Sequence, residues 1–286
     1  MIETYLLEAL VAFDEYKTLS SAAEQIHISQ PALSRSMQKL EGILGVSLFD
    51  RSKNKITLNG TGKLAASLAK RILDQEDEMI QMVRNYDSSL HTISLGFCAP
   101  GPMMEVPPYM NRFYPRMAVS SEMKEEETLL EYLKTGRYNM IFLSHPVDLP
   151  GMICRYYGSE HLYISVIPAH PAAVFKDKGL HFRDVNGETF VMASEIGIWK
   201  QIVEKTMPDS RLIRQESMEA LNEVVSSSSL PSFVTDLTIR LFRSGENSQR
   251  VFVPIRDPEA KVDFYCIYPD KDRERFSLWT NSLDEI

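Results

Sequence analysis

The chain of 286 residues is poor in several things. It has three cysteines, Cys98, Cys154 and Cys266, too few and too scattered for a disulfide framework. No run approaches the ~18 consecutive apolar residues of a membrane span, so no membrane partner is expected. Met1-Ile2-Glu3-Thr4 has no basic start leading into an apolar core, so no signal peptide is expected. A reducing, cytoplasmic setting follows as the default. The 13 glycines are dispersed and form no phosphate-cradling loop. Basic residues are also short: 31 Lys and Arg face 39 Asp and Glu, for a formal charge of −8. Taken alone, that argues against a nucleic-acid partner, because phosphate contacts need Lys and Arg.

Catalytic patterns are missing as well. The six histidines (27, 91, 145, 161, 170 and 181) form no i,i+4 pair beside a carboxylate, and there is no Cys-x-x-Cys. No metal site is therefore expected. There is no Gly-x-Ser-x-Gly elbow, and Ser144, His145 and Asp148 lie too close together in sequence for a triad. The chain is predicted not to be an enzyme and to need no cofactor. What it does have is an ordinary globular composition, 44% hydrophobic and 24% charged, which excludes a disordered or fibrous chain. At about 150 residues per domain, the length suggests two domains.

The net charge hides an asymmetry. Residues 28–71 carry eight Lys and Arg against Glu41 and Asp50, or +6, while the remainder carries 23 basic and 37 acidic residues, or −14. A basic N-terminal module on an acidic body fits this pattern, and so does a chance surface fluctuation. The charge signal therefore needs a structural context. Leu6, Leu7, Leu10, Val11 and Phe13 share one face of a helix over 4–16. A short helix over about 21–27 follows, with Ser20 as its predicted N-cap and Ala22, Ala23 and Ile26 inward. Pro31 suits the first turn of a third helix, which runs to Leu44 and ends at Gly45. The pair predicts a helix-turn-helix. Residues 46–58 read as strand, basic turn and strand, with Val46, Leu48 and Phe49 inward: a winged helix.

A long helix is predicted over 60–87. Ala65, Ile72, Met79 and Tyr86 recur every seven residues, and Leu68, Met82 and Val83 widen the stripe. Packing against a second copy explains such a seam, and so does packing on its own domain. After a polar hinge expected from Asp87, strands and helices alternate, which predicts α/β layering around parallel strands. Strands are expected at 93–97, 117–123, 138–144, 162–167, 189–193, 232–235, 251–255 and 262–268. Helices are expected at 103–114, 127–136, 197–206, 217–226, 236–244 and 272–284.

The N-terminal stretch resembles the LysR-type transcriptional regulators. The matching residues are Thr18-Leu19-Ser20-Ser21-Ala22-Ala23, Ile28-Ser29-Gln30-Pro31-Ala32-Leu33-Ser34, Leu40-Glu41, Leu44-Gly45, Leu48-Phe49-Asp50-Arg51 and Leu58-Asn59-Gly60-Thr61-Gly62. The likeness continues more weakly along the chain, through Gly136–Ile141, His170-Pro171 and Leu230-Pro231. It implies a winged helix-turn-helix over 1–59, a linker and dimerisation helix over 60–88, and an effector-binding domain over 89–286. The last is implied to resemble a periplasmic binding protein. Its first α/β lobe would be 91–161 plus 266–286, and its second 162–265. The implied function is sequence-specific transcription regulation controlled by a small-molecule effector between the lobes. The implied partners are double-stranded DNA, a homodimer or homotetramer, and RNA polymerase. The other reading is a small-molecule-binding protein or α/β enzyme with a helix-turn-helix appended as an assembly module.

On that likeness, the recognition helix presents its N-terminal residues to the major groove. Gln30 and Arg35 are candidates for base edges, because Gln can pair bidentately with adenine and Arg with guanine. Ser29, Pro31 and Ser34 flank them, with the serines as phosphate ligands, and Gln38 and Lys39 lie where backbone contact is expected. Arg51 and Lys53 in the wing suit phosphate or a narrow minor groove, while the alternative for Arg51 is a structural pairing with an acidic neighbour such as Asp50 or with a helix terminus. Carrying the family's pocket over by segment gives effector candidates Cys98, Ala99, Pro100, Gly101, Met103, Glu126, Thr128, Ser144, His145, Ser194, Glu195 and Ser228. The first segment departs from the family, which often has a hydroxyl there to hold an effector carboxylate. Ala99-Pro100-Gly101-Pro102-Met103 has none, and its two prolines lack N–H groups. Glu125-Glu126-Glu127 would also repel an anion, or else simply suit a helix N-terminus. Phe97, Met103 and Met104 would suit an apolar or uncharged ligand. Cys98 reads as either a redox thiol or a small core residue.

Overall fold

A computed structural model describes residues 1–52, 55–242 and 250–283. It divides into two compact units, Met1–Arg84 and Asn85–Ile286. In the first, α1 (Thr4–Tyr16), α2 (Leu19–Gln25) and α3 (Gln30–Leu44) enclose a core of Leu6, Leu10, Phe13, Ala22, Leu33, Met37 and Leu40. Thr18, not Ser20, caps α2: its Oγ1 accepts from the Ser21 N–H at 3.2 Å, because the helix starts two residues earlier than its apolar pattern does. His27 has φ +56°, giving the tight reversal between α2 and α3. Two short strands, β1 (Phe49–Ser52) and β2 (Lys55–Leu58), pair antiparallel as the wing. Leu48 and Phe49 are buried as expected, but Val46 is 47% exposed. Lys53 and Asn54 lie outside the described residues.

The long helix α4 covers Gly60–Ser89, so the hinge expected at Asp87 is helical. Its 30 residues extend about 45 Å. Gly62 meets the wing so closely that a Cβ would lie 2.1 Å from the Leu48 carbonyl oxygen. Ala66 and Ala69 are buried on the N-terminal core, whereas Leu68, Ile72, Met79, Met82, Val83 and Tyr86 are exposed.

The second unit contains, in order, β3 (Thr92–Phe97), α5 (Pro100–Phe113), β4 (Ala118–Met123), α6 (Glu126–Lys134), β5 (Met140–Leu143), β6 (Met152–Val166) and α7 (Phe182–Val185). It continues with β7 (Thr189–Ala193), α8 (Ile198–Thr206), β8 (Arg211–Gln215), α9 (Met218–Ser227), β9 (Ser232–Thr235), α10 (Asp236–Phe242), β10 (Val251–Pro254), β11 (Lys261–Pro269) and α11 (Arg273–Ser282). The strands form one sheet in the order β4-β3-β5-β11-β6-β9-β7-β8, with β10 also on β6. Each lobe has a parallel part, β4-β3-β5 in one and β9-β7-β8 in the other. The centre is antiparallel, which the expectation of parallel strands omitted.

The joint is β6. Residues 152–161 pair with β11, and residues 162–166 pair with β9 and β10. One strand therefore serves both lobes. Residues 261–265 of β11, expected in lobe two, pair with the lobe-one half of β6. Lobe one packs Ile93, Phe97, Val106, Phe142, Phe276 and Trp279 together, and Phe97 stacks on Phe142 at 4.7 Å.

Candidate functional site

The N-terminal candidates gather at the start of α3. Ser29 is its N-cap, accepting from the Ala32 N–H at 3.3 Å, so its hydroxyl fixes the helix start. Gln30, Pro31, Arg35 and Gln38 are exposed and Ser34 is half-buried, while Leu33, Ser36 and Met37 turn inward. The Ser20 hydroxyl donates to Gln30 Oε1 at 3.3 Å, tying the two helices at the turn. Two cations of the set have partners within the unit. Lys39 Nζ binds the Glu3 carboxylate and donates to Tyr5 Oη at 3.0 Å, and the Glu3 pairing, with Tyr5, raises its pKa. Arg51 Nη2 meets Glu41 Oε2 at 2.9 Å. The partner is thus Glu41 rather than the adjacent Asp50. Glu41 Oε1 also accepts from the Leu48 and Phe49 N–H groups at 2.8 and 3.4 Å, clamping the wing to α3.

In the C-terminal unit, a cavity of about 720 Å³ lies between the lobes. Cys98, Glu126 and Thr128 line it from lobe one, and Glu195, Gly197, Ile198 and Gln201 line it from lobe two. The lobes touch at its edge. The Ile198 N–H, at the start of α8, donates to the Cys98 carbonyl at 2.9 Å. Gly197 has φ +55°, and a Cβ there would lie 2.0 Å from that same oxygen. Gln201 Nε2 donates to Glu125 Oε2 at 3.4 Å.

Glu126 organises one wall. Its Oε1 accepts from the Ser144 N–H and hydroxyl at 2.7 and 2.8 Å, and its Oε2 lies 3.3 Å from His145 Nδ1. Ser144 and His145 therefore hold the start of α6. Cys98 is buried, and burial together with the nearby Glu126 pushes its thiol pKa well up. A thiol so placed is a poor redox nucleophile, and the core reading fits it.

Two family models match the chain. The bacterial regulatory helix-turn-helix protein of the lysR family covers residues 5–63, and the LysR substrate binding domain covers residues 91–279. The chain belongs to the LysR family. It is a LysR-type DNA-binding transcriptional regulator with an effector-binding domain. It is 27% identical over 189 residues to the HTH-type transcriptional regulator BenM of Acinetobacter baylyi, an alignment covering 65% of this chain and 62% of BenM. It is 24% identical over 271 residues to the hydrogen peroxide-inducible genes activator of Haemophilus influenzae, covering 92% and 89%. Full-length OxyR of Pseudomonas aeruginosa shares the fold, with TM-score 0.53, 20% identity and coverage of 99% and 100%. Full-length BenM does likewise, with TM-score 0.50, 24% identity and coverage of 99% and 94%.

Within this LysR-type regulator, the remaining effector candidates separate. Ala99 is buried, Pro100 is half-buried, and Met103 and Phe97 pack in the lobe-one core. Met104 is half-buried. Gly101 lies beneath Glu160, whose Oε1 would be 1.5 Å from a Cβ. The Ser194 N–H donates to the Gln215 carbonyl at 2.8 Å. Ser228 ends α9, its Oγ accepting from the Leu230 N–H at 3.4 Å and its carbonyl from Arg250 at 3.4 Å. Glu160 went unnoticed in the sequence. It is 2% exposed, accepts from Trp199 Nε1 at 3.1 Å and from Thr235 Oγ1 at 3.3 Å, and so joins β6 to α8 and β9. A lone Glu between Gly158-Ser159 and His161 gives no period that marks it as inward. Gly197, Ile198 and Gln201 were missed because they come together only through the fold.

Proposed function

We propose that this regulator reads operator DNA with α3 and is switched by a small molecule in the interlobe cavity. The observation that carries the first part is the exposed start of α3. Gln30, Ser34 and Arg35 stand on one helix end, and Arg35 makes no ion pair among the described residues. Gln30 and Arg35 pair with base edges, Ser34 binds phosphate, and Gln38 lies along the backbone. Ser29 sets the helix start. The apolar seam of α4 pairs two copies as a homodimer or homotetramer, so that two recognition helices meet two half-sites. Closure of the lobes on the effector then changes half-site spacing, and with it contact to RNA polymerase. The setting is the cytoplasm, with DNA, and no catalytic step is involved.

Four carboxylates, Glu125, Glu126, Glu127 and Glu195, line the interlobe cavity against one cation, Lys124. An uncharged or cationic effector suits this wall better than a simple carboxylate. The test is a gel shift on the DNA upstream of the gene across a salt series, with Arg35→Ala beside the native chain. Loss of the specific complex in a folded variant supports the reading. Absence of any specific complex at every salt concentration overturns it, in favour of an assembly module.

A further inference from the structure

The C-terminal unit contains a second cavity, of about 530 Å³, which shares no lining residue with the interlobe cavity. Its lining joins both charge signs to aromatic surface: Glu160 and Glu105, Arg112 and Arg240, Tyr109 and Trp279. The charges are graded by depth. Glu160 is 2% exposed, Glu105 is half-buried, and both arginines are exposed. Neither Arg112 nor Arg240 makes an ion pair among the described residues. Glu105 Oε2 accepts from Tyr157 Oη at 2.5 Å.

A cavity with carboxylates inside, guanidinium groups at the rim and aromatic walls matches a zwitterion with an apolar body. An ammonium group fits the inner end, beside carboxylates and ring faces. A carboxylate fits the rim, where guanidinium presents a planar fork. The volume lies within the ~300–1,000 Å³ of small-molecule sites. We propose that this cavity is a second ligand site, for an α-amino acid with an aromatic or large aliphatic side chain.

Glu160 gives such a site a route to regulation. The same carboxylate accepts from Trp199 of α8 and Thr235 of β9, and it sits against Gly101 at the start of α5. A ligand ammonium at Glu160 competes for the oxygens that hold lobe two. The carboxyl is pushed up to about 7, mainly by burial, with Asp236 and Glu105 adding to it. A cation brought to this point relieves that penalty. This inference is independent of how the interlobe cavity is used.

The protein carries its own reporters. Its two tryptophans are Trp199, bonded to Glu160, and Trp279, on the cavity wall. The full chain is titrated with L-phenylalanine and L-leucine while tryptophan fluorescence is followed. Phenethylamine and 3-phenylpropionate serve as half-ligands. The expected result is a saturable change with an amino acid, with each half-ligand weaker by about tenfold or more. Replacing both arginines by alanine weakens the amino acid but not phenethylamine. Glu160→Gln weakens both, and Glu195→Gln, in the interlobe cavity, alters neither. The proposal fails if neither amino acid gives a saturable change at millimolar concentration. It also fails if the double arginine variant, checked for fold by circular dichroism, binds as the native chain does, or if Glu195→Gln abolishes the signal. The last outcome assigns the signal to the interlobe cavity.

Discussion

Single residues here derive their chemistry from burial. Cys98 directly follows β3 beside Glu126, and both burial and that carboxylate hold its proton on. Alkylation of the native chain by iodoacetamide at neutral pH should therefore label Cys98 far more slowly than in the unfolded chain, as read by mass spectrometry. Rapid native labelling would contradict the buried-thiol assignment. Glu160 gives a pH dependence of definite sign. Its folded pKa of about 7 lies above the ordinary glutamate value of 4.5, so the folded state binds the extra proton between those values. The stability it contributes is fully present below pH 4.5 and is lost as the pH rises through about 7. The effect is on the order of 3 kcal/mol, one pKa unit being about 1.4 kcal/mol. Thermal melts between about pH 5 and about pH 8 should thus show a decline that Glu160→Gln reduces, since the amide can still accept from Trp199 and never ionises. An unchanged decline in that variant would assign the pH response to other groups.

At the scale of elements, small features set how helices and strands meet. Glu41 of α3 receives Leu48 N–H, Phe49 N–H and Arg51 in one carboxylate with an 18% exposed side chain. Glu41→Ala leaves two backbone donors and a guanidinium without that partner, and should cost about 2–3 kcal/mol in denaturant unfolding. The exposed seam of α4 makes the corresponding prediction for association. Ile72→Asp with Val83→Lys should shift the chain toward monomer in light scattering while leaving its helix content intact, because both residues are exposed and outside the core. These elements were legible because their periods are strong. The apolar faces of α1, α3 and α4 repeat at helical spacing, and Pro31 and Gly45 mark the bounds of α3. β6 was half legible. Its lobe-two end, Leu162 to Val166, is apolar, but its lobe-one end carries Arg155, Gly158, Ser159, Glu160 and His161, since that stretch lines a cavity and meets solvent. Five residues from Arg211 to Gln215 form β8 at the sheet edge, where polar residues conceal the strand. The proposed DNA-contacting set was readable because one helix carries most of it. The interlobe cavity was not, because its walls come from the turn after β3, from α6 and from α8, and meet only in the folded lobes.

For the whole molecule, the charge division is the governing quantity, and the structure narrows what it means. The chain sums to −8, yet residues 28–71 hold +6. Not all of that excess faces outward without a partner: Lys39 is engaged by Glu3 and Tyr5, and Arg51 by Glu41. Arg35, by contrast, is exposed at the N-terminal end of α3 with no ion pair among the described residues. The two arginines should therefore act differently on DNA, though both are basic residues in one small domain. Each phosphate contact contributes about −0.9 to the slope of log affinity against log salt. Arg51→Ala removes a cation already neutralised by Glu41, so the slope should change by well under that amount while the wing loses stability. Arg35→Ala should leave stability near native and cost about 1–3 kcal/mol of discrimination against non-cognate DNA, the worth of a good bidentate base contact. Fluorescence anisotropy across a salt series, on the upstream sequence and on a scrambled duplex, measures both quantities. A slope lower by about 0.9 in Arg51→Ala would mean that Arg51 leaves Glu41 for a phosphate when the wing meets DNA.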